Sequence, residues 1–233
     1  MLFDLASDGY REKIIDKGID SDEYIQRFKE ELTIIFEANL VDYFLIVRDF
    51  IAHASSSGYL VGPGRGSVGG SLIAFLLGIT KIDPIKYGLI FERFYNAGRA
   101  GSLPDIDTDF PTFGRDFVRN YLIDKYGEDY VVDIGTVTTY QGRNAIQKLG
   151  NVMEIPFGDT KKISEIIEGA IESGLQPDWK TLNKLANLQP WQDKYPELFR
   201  YAEQLFGNTF TYGIHASGII ISDEPLNATY PLR

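Results

Sequence analysis

Apolar and polar residues follow one another along the chain with two different periods. The helical period places Ile25, Phe28, Leu32 and Phe36 on one face of residues 21–39, with Ser21 as the expected N-cap. The same period predicts three further helices, over residues 43–54, 71–79 and 114–126. Short apolar runs predict strands over residues 59–61, 130–137 and 214–222.

A period of two dominates one short segment, 104-PDIDTDF-110. Its aspartates Asp105, Asp107 and Asp109 occupy alternate positions, so one strand would carry three carboxylates on one face. Residues 141–207 differ in texture, because short apolar stretches are interrupted there by prolines and glycines. Together these patterns predict an α+β protein, with a β-rich body interrupted by a small helical insertion.

Composition narrows the chemistry that the chain can perform. Its 233 residues include no cysteine and two histidines, so any metal must be held by oxygen, which suits Mg²⁺ or Mn²⁺. The sequence has neither a long apolar run nor a signal segment, and we expect a cytoplasmic protein. The net charge of −10 argues against nucleic-acid binding, but residues 62–148 contain ten basic and ten acidic side chains, so the acidic excess lies in the flanks.

The segment 62-GPGRGSVGGS-71 is a glycine-rich loop ahead of a predicted helix. Glycine lets the backbone approach a ligand closely, and amides at a helix N-terminus attract phosphate. The spacing Gly64-x-Gly66-x-x-Gly69 matches a dinucleotide fingerprint formally, but no second strand ends in an acidic residue about 20 residues further on. The Walker A pattern fails as well, since no Lys-Ser/Thr pair follows these glycines. For the loop alone, a structural turn and a phosphate-binding loop both stay open.

Three aspartates in one short strand are locally unfavourable, because aspartate is depleted in strands. Either the strand is a solvated edge, or divalent cations hold the carboxylates together. Paired cations of this kind serve phosphoryl transfer. A glycine–serine turn followed by an Asp-x-Asp strand is the layout of nucleotidyltransferases, and the ordered pair is more specific than either motif.

Four segments carry a resemblance to a known family: YFLIVRDFI, GYLVGPGRGSVGGSLIAFLLGITKIDP, LIFERFYN and PDIDTDF. They resemble the bacterial replicative DNA polymerase III alpha subunits, which are the C-family DNA polymerases. The uninterrupted run between the glycine loop and the aspartates resembles the DnaE type rather than the PolC type. The resemblance implies a polymerase β-like nucleotidyltransferase palm, residues 1–134 and 209–233, with a small helical thumb inserted over residues 135–208.

The resemblance also implies roles for individual residues. Asp105 and Asp107 would be the catalytic carboxylates and would bind two Mg²⁺ ions, with Mn²⁺ as an alternative. The nucleotide would be contacted by Arg65, Gly66, Ser67 and Arg93. Further candidates for DNA contacts are Arg99, Arg143 and Lys148. Asp109 and His215 are expected to have structural duties instead.

The family's third catalytic carboxylate lies in a Lys-x-Asp segment that follows HASGIII and is absent from this sequence. We therefore expect part of a DNA-directed DNA polymerase that is inactive alone. Its partners would be primer-template DNA, deoxynucleoside triphosphates and a second polypeptide or missing segment supplying the fingers and the third carboxylate. Two other functions stay open: a non-catalytic module that binds primer-template DNA or a polymerase subunit, and a small self-sufficient nucleotidyltransferase. An NAD-binding enzyme is a more remote alternative.

Overall fold

The chain divides into two compact units, as seen in a computed structural model that describes residues 1–96 and 104–232. One unit comprises Met1–Val132 together with Ile219–Arg233, and the other comprises Asp133–Gly218. Across the described residues, α-helices are combined with one two-stranded sheet, which is α+β content. A polymerase β-like palm and an inserted thumb stay predictions for these two units.

The first unit is built mainly from helices. Five of them are α1 (Leu2–Tyr10), α2 (Asp22–Glu37), α3 (Val41–Ser56), α4 (Leu72–Leu76) and α5 (Gly114–Tyr126). A π-helical turn, Arg11–Ile15, continues α1, and two 3₁₀ turns occupy Gly66–Gly70 and Phe91–Arg93. The helices predicted over residues 21–39, 43–54 and 114–126 are therefore confirmed. Gly127, with φ of 100°, ends α5 as expected.

The core of this unit lies where α2, α3 and α4 meet. Its fully buried side chains include Ile35, Phe44, Leu72 and Ile73. Gly9 lets α1 cross α4 closely, because a Cβ atom at this position would overlap the backbone of Leu76. Helix α3 meets α5 through stacked rings: the ring of His53 lies 3.7 Å from that of Tyr121 and 5.1 Å from that of Phe117.

Four expectations for the first unit need correction. The prediction of a β-rich body is wrong, since the described residues of the first unit are mostly helical. Helix α1 was not predicted. The strand over residues 59–61 is also wrong: the Tyr59 amide closes the last turn of α3 by donating to Ala54, and the Tyr59 ring stacks 4.4 Å from Phe117. The helix over residues 71–79 ends early, at Leu76, because Gly78 adopts φ of 78°.

The second unit contains most of the sheet and, over residues 141–207, a series of helices, as predicted. They are α6 (Gly142–Val152), α7 (Phe157–Glu172), α8 (Trp179–Leu182), α9 (Gln189–Lys194) and α10 (Pro196–Leu205). A separate core is formed by fully buried Ile146, Ile163, Leu182 and Leu198. Helices α6 and α7 pack closely at Gly150, where a larger side chain would collide with Thr160.

The sheet is an antiparallel ribbon of β1 (Val131–Thr139) and β2 (Thr209–Ile221), which confirms the strands predicted over residues 130–137 and 214–222. At one end Tyr140 and Asn208 are hydrogen-bonded, and at the other Ser222 donates to Tyr130. Strand β2 has 13 residues against 9 in β1, so it must bulge. A short helix, α11 (Leu226–Thr229), follows the ribbon.

Candidate phosphate and metal site

The glycine loop makes a tight turn with its exposed edge at Gly66. Gly64 and Gly66 have φ of 116° and 67°, in the left-handed region that favours glycine. The 3₁₀ turn Gly66–Gly70 follows, with Ser67 half-buried at its second position. A Cβ atom on Gly66 would lie 3.8 Å from Oδ2 of Asp107. The loop therefore presents bare backbone beside an aspartate carboxylate.

The aspartate segment runs alongside this loop. Asp105, Asp107 and Asp109 are exposed, whereas the residues between them are half-buried, so the predicted alternation of faces is confirmed. Antiparallel contact with the loop consists of a bridge between Arg65 and Asp107 and a 3.0 Å hydrogen bond from the Gly62 amide to the Asp109 carbonyl. This contact brings the two sequence motifs together in space.

The predicted strand over residues 104–110 is wrong as regards hydrogen bonding. The amide of Ile106 donates to the hydroxyl of Tyr43 at 3.1 Å rather than to a neighbouring strand. Burial raises the pKa of Tyr43, the hydrogen bond from Ile106 opposes that rise, and the charges of Asp105 and Asp107 add to it. Tyr43 thus lies close to both carboxylates, which the helical pattern of YFLIVRDFI alone could not reveal.

Arg65 is paired with an acid other than the two predicted to bind metal. Its guanidinium lies 3.2 Å from the Asp109 carboxylate, and both side chains are more than half exposed. Pairs this exposed contribute little stability, about 0–1 kcal/mol. Arg65 can therefore exchange Asp109 for a ligand phosphate at small cost.

Arg93 lies on a segment that packs against the glycine turn. In the 3₁₀ turn Phe91–Arg93, Phe91 is buried and Arg93 is exposed. The contact with the loop is at backbone distance, because a Cβ atom on Gly70 would fall 2.5 Å from the carbonyl oxygen of Ile90. Glycine at position 70 is thus what allows the two predicted nucleotide-binding segments to meet.

Behind both segments lies an ion pair that sequence reasoning missed. Nε of Arg27 donates to the buried carboxylate of Glu31 at 2.6 Å. Arg27 also donates to the carbonyl oxygens of Gly70 and Leu89, at 2.7 and 3.2 Å. The pair therefore ties α2 to the end of the glycine turn and to the segment that leads into Arg93.

Glu31 also corrects an expectation about the helix that follows the loop. Its carboxylate accepts hydrogen bonds from the amides of Leu72 and Ile73 and from the hydroxyl of Ser71. The first amides of α4 are thus satisfied inside the protein. A phosphate at this loop would have to use the exposed 3₁₀ turn, and the prediction that it binds at the helix N-terminus is wrong.

The remaining predicted residues are not brought to this cluster by the described contacts. Arg143 and Lys148 belong to α6 in the second unit, where Arg143 pairs with Glu168 at 2.6 Å. Lys148 lies over the ring of Phe210, 5.6 Å from its centroid. Arg99 lies outside the described residues.

His215 makes local contacts with its own strand, β2. Its Nδ1 accepts hydrogen bonds from the amides of Gly218 and Ser217, at 2.9 and 3.2 Å. The side chain thus bonds the backbone that immediately follows it.

The oxygen ligands that Asp105 and Asp107 provide can be compared with the ligands that Mg²⁺ usually has in proteins. In residues 1–96 and 104–232, no group of three or more histidine, cysteine or acidic side chains is arranged to hold a metal ion. The two aspartates still offer exposed oxygen ligands on one face. Mg²⁺ is commonly bound by one or two carboxylates plus waters and substrate phosphates. The pair therefore suits a hard cation whose remaining ligands are waters or substrate phosphates.

Exposed backbone at a glycine turn, beside paired carboxylates, suits a nucleotide phosphate accompanied by a hard cation. Comparison with known families is consistent with this class of site. All 233 residues match the family of the bacterial DNA polymerase III alpha NTPase domain, and the chain belongs to that family.

Curated relatives support the same assignment. The DNA polymerase III alpha subunit of Ureaplasma parvum is 41% identical over 228 residues, which cover 98% of this chain and 22% of that protein. The Bacillus subtilis subunit is 36% identical over 239 residues, covering 100% of this chain and 20% of the relative. For the Thermus aquaticus subunit the identity is 37% over 212 residues, covering 89% and 17%. The chain thus spans about a fifth of the length of these relatives.

Within the part of the chain that the structure describes, none of the helices combines the length and apolar character needed to cross a lipid bilayer.

Proposed function

We propose that the chain is the palm and thumb portion of a DnaE-type DNA polymerase III alpha subunit, and that it contributes to template-directed deoxynucleotidyl transfer. Family membership supports the polymerase class. The observation that carries the proposal is the bridge between Arg65 and Asp107, because it sets the glycine turn directly against the aspartate pair.

The chain's own residues have distinct tasks in this proposal. The exposed backbone at Gly66 and the hydroxyl of Ser67 bind the triphosphate, and Arg65 leaves Asp109 to join them. Arg93, exposed on the neighbouring turn, contacts the nucleotide or the primer end. The Arg27–Glu31 pair keeps both segments in place, so binding requires little rearrangement of the backbone.

Asp105 and Asp107 are the residues that would hold Mg²⁺. When bound, the ions supply a lower pKa for the primer hydroxyl and neutralise charge on the transferring phosphate. The second unit is proposed to grip the backbone of primer-template DNA through Arg143 and Lys148. Arg143 must then release Glu168 in order to bind a phosphate. This exchange has a small free-energy cost because both side chains of the pair are more than a third exposed.

The proposal includes a partner. Since the described residues group no third carboxylate with Asp105 and Asp107, a further segment or a second polypeptide is proposed to supply it together with the fingers. The chain alone is then inactive. Preorganised charge stabilisation of this kind is worth several kcal/mol of transition-state energy, or about 100- to 1000-fold in rate.

The same observation supports a second candidate, a non-catalytic module that binds primer-template DNA. A chain whose site has two carboxylates, and whose second unit is folded, could bind primer-template DNA without catalysing synthesis. The two candidates differ in one measurable respect. For a binding module, duplex affinity should be unaffected by Asp105→Asn and no added polypeptide should restore synthesis.

Nucleotide binding tests the proposed site directly. We expect Gly66→Ala to weaken the binding of a fluorescent deoxynucleoside triphosphate in Mg²⁺ by about tenfold, because the methyl group would stand between backbone and phosphate, and one lost hydrogen bond of about 1 kcal/mol or more has that order of effect. Gly58→Ala is the matched control: its φ of 84° imposes similar strain, but nothing lies within 4 Å. Equal affinities of the two variants would contradict the proposed site.

A further inference from the structure

Tyr43 contacts the aspartate segment at its midpoint. It lies in the first turn of α3, next to the fully buried Phe44, so its own position is anchored by the core. Its hydroxyl accepts the amide hydrogen bond of Ile106 at 3.1 Å. Ile106 stands between Asp105 and Asp107, so this bond holds the stretch of backbone that the two carboxylates share.

The segment needs such a restraint. Asp105 and Asp107 are exposed and repel each other, and aspartate does not favour extended backbone. The other contacts with the loop, the bridge at Asp107 and the hydrogen bond to the Asp109 carbonyl, come after Ile106 in the chain. Among the described residues, the Tyr43 hydroxyl is thus the hydrogen-bond partner of the backbone between Asp105 and Asp107.

The Tyr43 hydroxyl also has a second bonding direction. A tyrosine that accepts a hydrogen bond from the backbone keeps one proton of its own to donate.

We infer that Tyr43 is a positioning residue for the Asp105–Asp107 pair, fixing the backbone between the two carboxylates so that both face the same cation. The inference rests on the proposed function, since it assumes that this pair binds metal. Loss of a group that orients metal ligands typically costs about 10- to 100-fold in metal affinity. For a single backbone hydrogen bond we expect the lower end of that range.

The test is a Mn²⁺ titration of the full chain, without nucleotide, in which free Mn²⁺ is followed by electron paramagnetic resonance. Tyr43→Phe is expected to weaken Mn²⁺ binding by about tenfold. Tyr121→Phe is the matched control, because it removes the same atom and also breaks a hydrogen bond, here 2.7 Å to Asp49. That variant should stay within about twofold of the wild type, since Asp49 lies outside the proposed metal pair.

Hydrogen exchange supplies a second readout that loss of global stability would not imitate. In Tyr43→Phe the amide of Ile106 should exchange faster, while amides in the middle of α3 keep their protection. Unchanged exchange at Ile106 would overturn the inference even if Mn²⁺ affinity fell.

Asp105→Asn separates failure of the inference from failure of the proposed function. If Asp105→Asn leaves Mn²⁺ binding unchanged, the pair is not the metal site and the proposed function fails. If Asp105→Asn weakens binding but Tyr43→Phe does not, or if Tyr43→Phe and Tyr121→Phe weaken it equally, the positioning role alone is overturned.

Discussion

Replacing Glu31 by alanine should destabilise the support of the glycine loop more than most single substitutions would. The Glu31 carboxylate is 1% exposed and accepts four hydrogen bonds, from Arg27, Ser71, Leu72 and Ile73, at distances between 2.6 and 3.0 Å. Alanine leaves all four donors without this acceptor, three of them in the interior.

The magnitude follows from these contacts. Removing one partner of a buried ion pair costs about 3–5 kcal/mol, and each buried donor left unsatisfied costs about 1–3 kcal/mol. Because these two figures describe overlapping losses, we expect about 4 kcal/mol in all for Glu31→Ala. Glu31→Gln keeps an acceptor oxygen at similar volume and should cost about 1–3 kcal/mol. A domain of ordinary stability, about 5–15 kcal/mol, would be left marginal by the first change.

The assay is guanidinium unfolding followed by far-ultraviolet circular dichroism, with hydrogen exchange of residues 66–76 as the local readout. Glu30→Ala is the matched control, because Glu30 is exposed and bonds Gln26 on the same helix; its cost should be below about 0.5 kcal/mol. A loss of less than about 1 kcal/mol for Glu31→Ala, or equal losses for the two variants, would refute the reasoning.

Two further predictions concern stability. Tyr24→Phe removes a buried 2.6 Å hydrogen bond to Asp83 and should cost about 1.5–3 kcal/mol in guanidinium unfolding, as expected for a bond to a charged group. Asp49 should contribute to acid unfolding: burial raises the pKa of its carboxyl, but hydrogen bonds from Lys125 and Tyr121 outweigh burial, so the pKa lies below the ordinary value of 3.8. Stability from this lowered pKa is present above pH 3.8 and is lost as the pH falls through the folded-state pKa, so Asp49→Asn should cost more at pH 6 than at pH 3.

Each of these changes has a control on the same unit. Tyr87 is 63% exposed, so Tyr87→Phe should leave unfolding unchanged and thereby isolate the buried hydrogen bond of Tyr24. Asp124 is exposed, and Asp124→Asn should cost less than about 0.5 kcal/mol in the same assay. A pH-independent cost for Asp49→Asn, or a cost below about 0.5 kcal/mol for Tyr24→Phe, would contradict the contacts as described.

The pattern of apolar and polar residues predicted those helices and strands whose own sequence carries a regular apolar face or run. Helices α2 and α5 have regular apolar faces, and the two strands of the ribbon have apolar runs of sufficient length. The segments predicted wrongly depend on distant partners. The apolar run at residues 59–61 predicts a strand. In the structure the Tyr59 amide instead bonds the last turn of α3, and the Tyr59 ring stacks on Phe117. The amide of Ile106 likewise finds a tyrosine hydroxyl 63 positions away.

The candidate site likewise has residues that the sequence predicts and residues that only the structure shows. The glycines and aspartates could be found from sequence because each motif is unusual where it stands, and the structure places Gly66 beside Asp107. Tyr43, Arg27 and Glu31 could not be found, since their side chains act on the site through contacts 40 or more positions away. Helical spacing assigns such residues to a face of a helix but does not identify what that face touches.

Primer extension is the most direct test of the central claim, that this chain contributes two carboxylates to a polymerase site completed by residues that this sequence does not contain. The chain would be incubated with Mg²⁺, deoxynucleoside triphosphates and primed template, alone and with a polypeptide carrying the family's Lys-x-Asp segment and fingers. We predict that DNA is synthesised only in the mixture. This synthesis should be abolished by Asp105→Asn in the chain and retained with Asp109→Asn. Synthesis by the chain alone, or synthesis in the mixture that survives Asp105→Asn, would contradict the account.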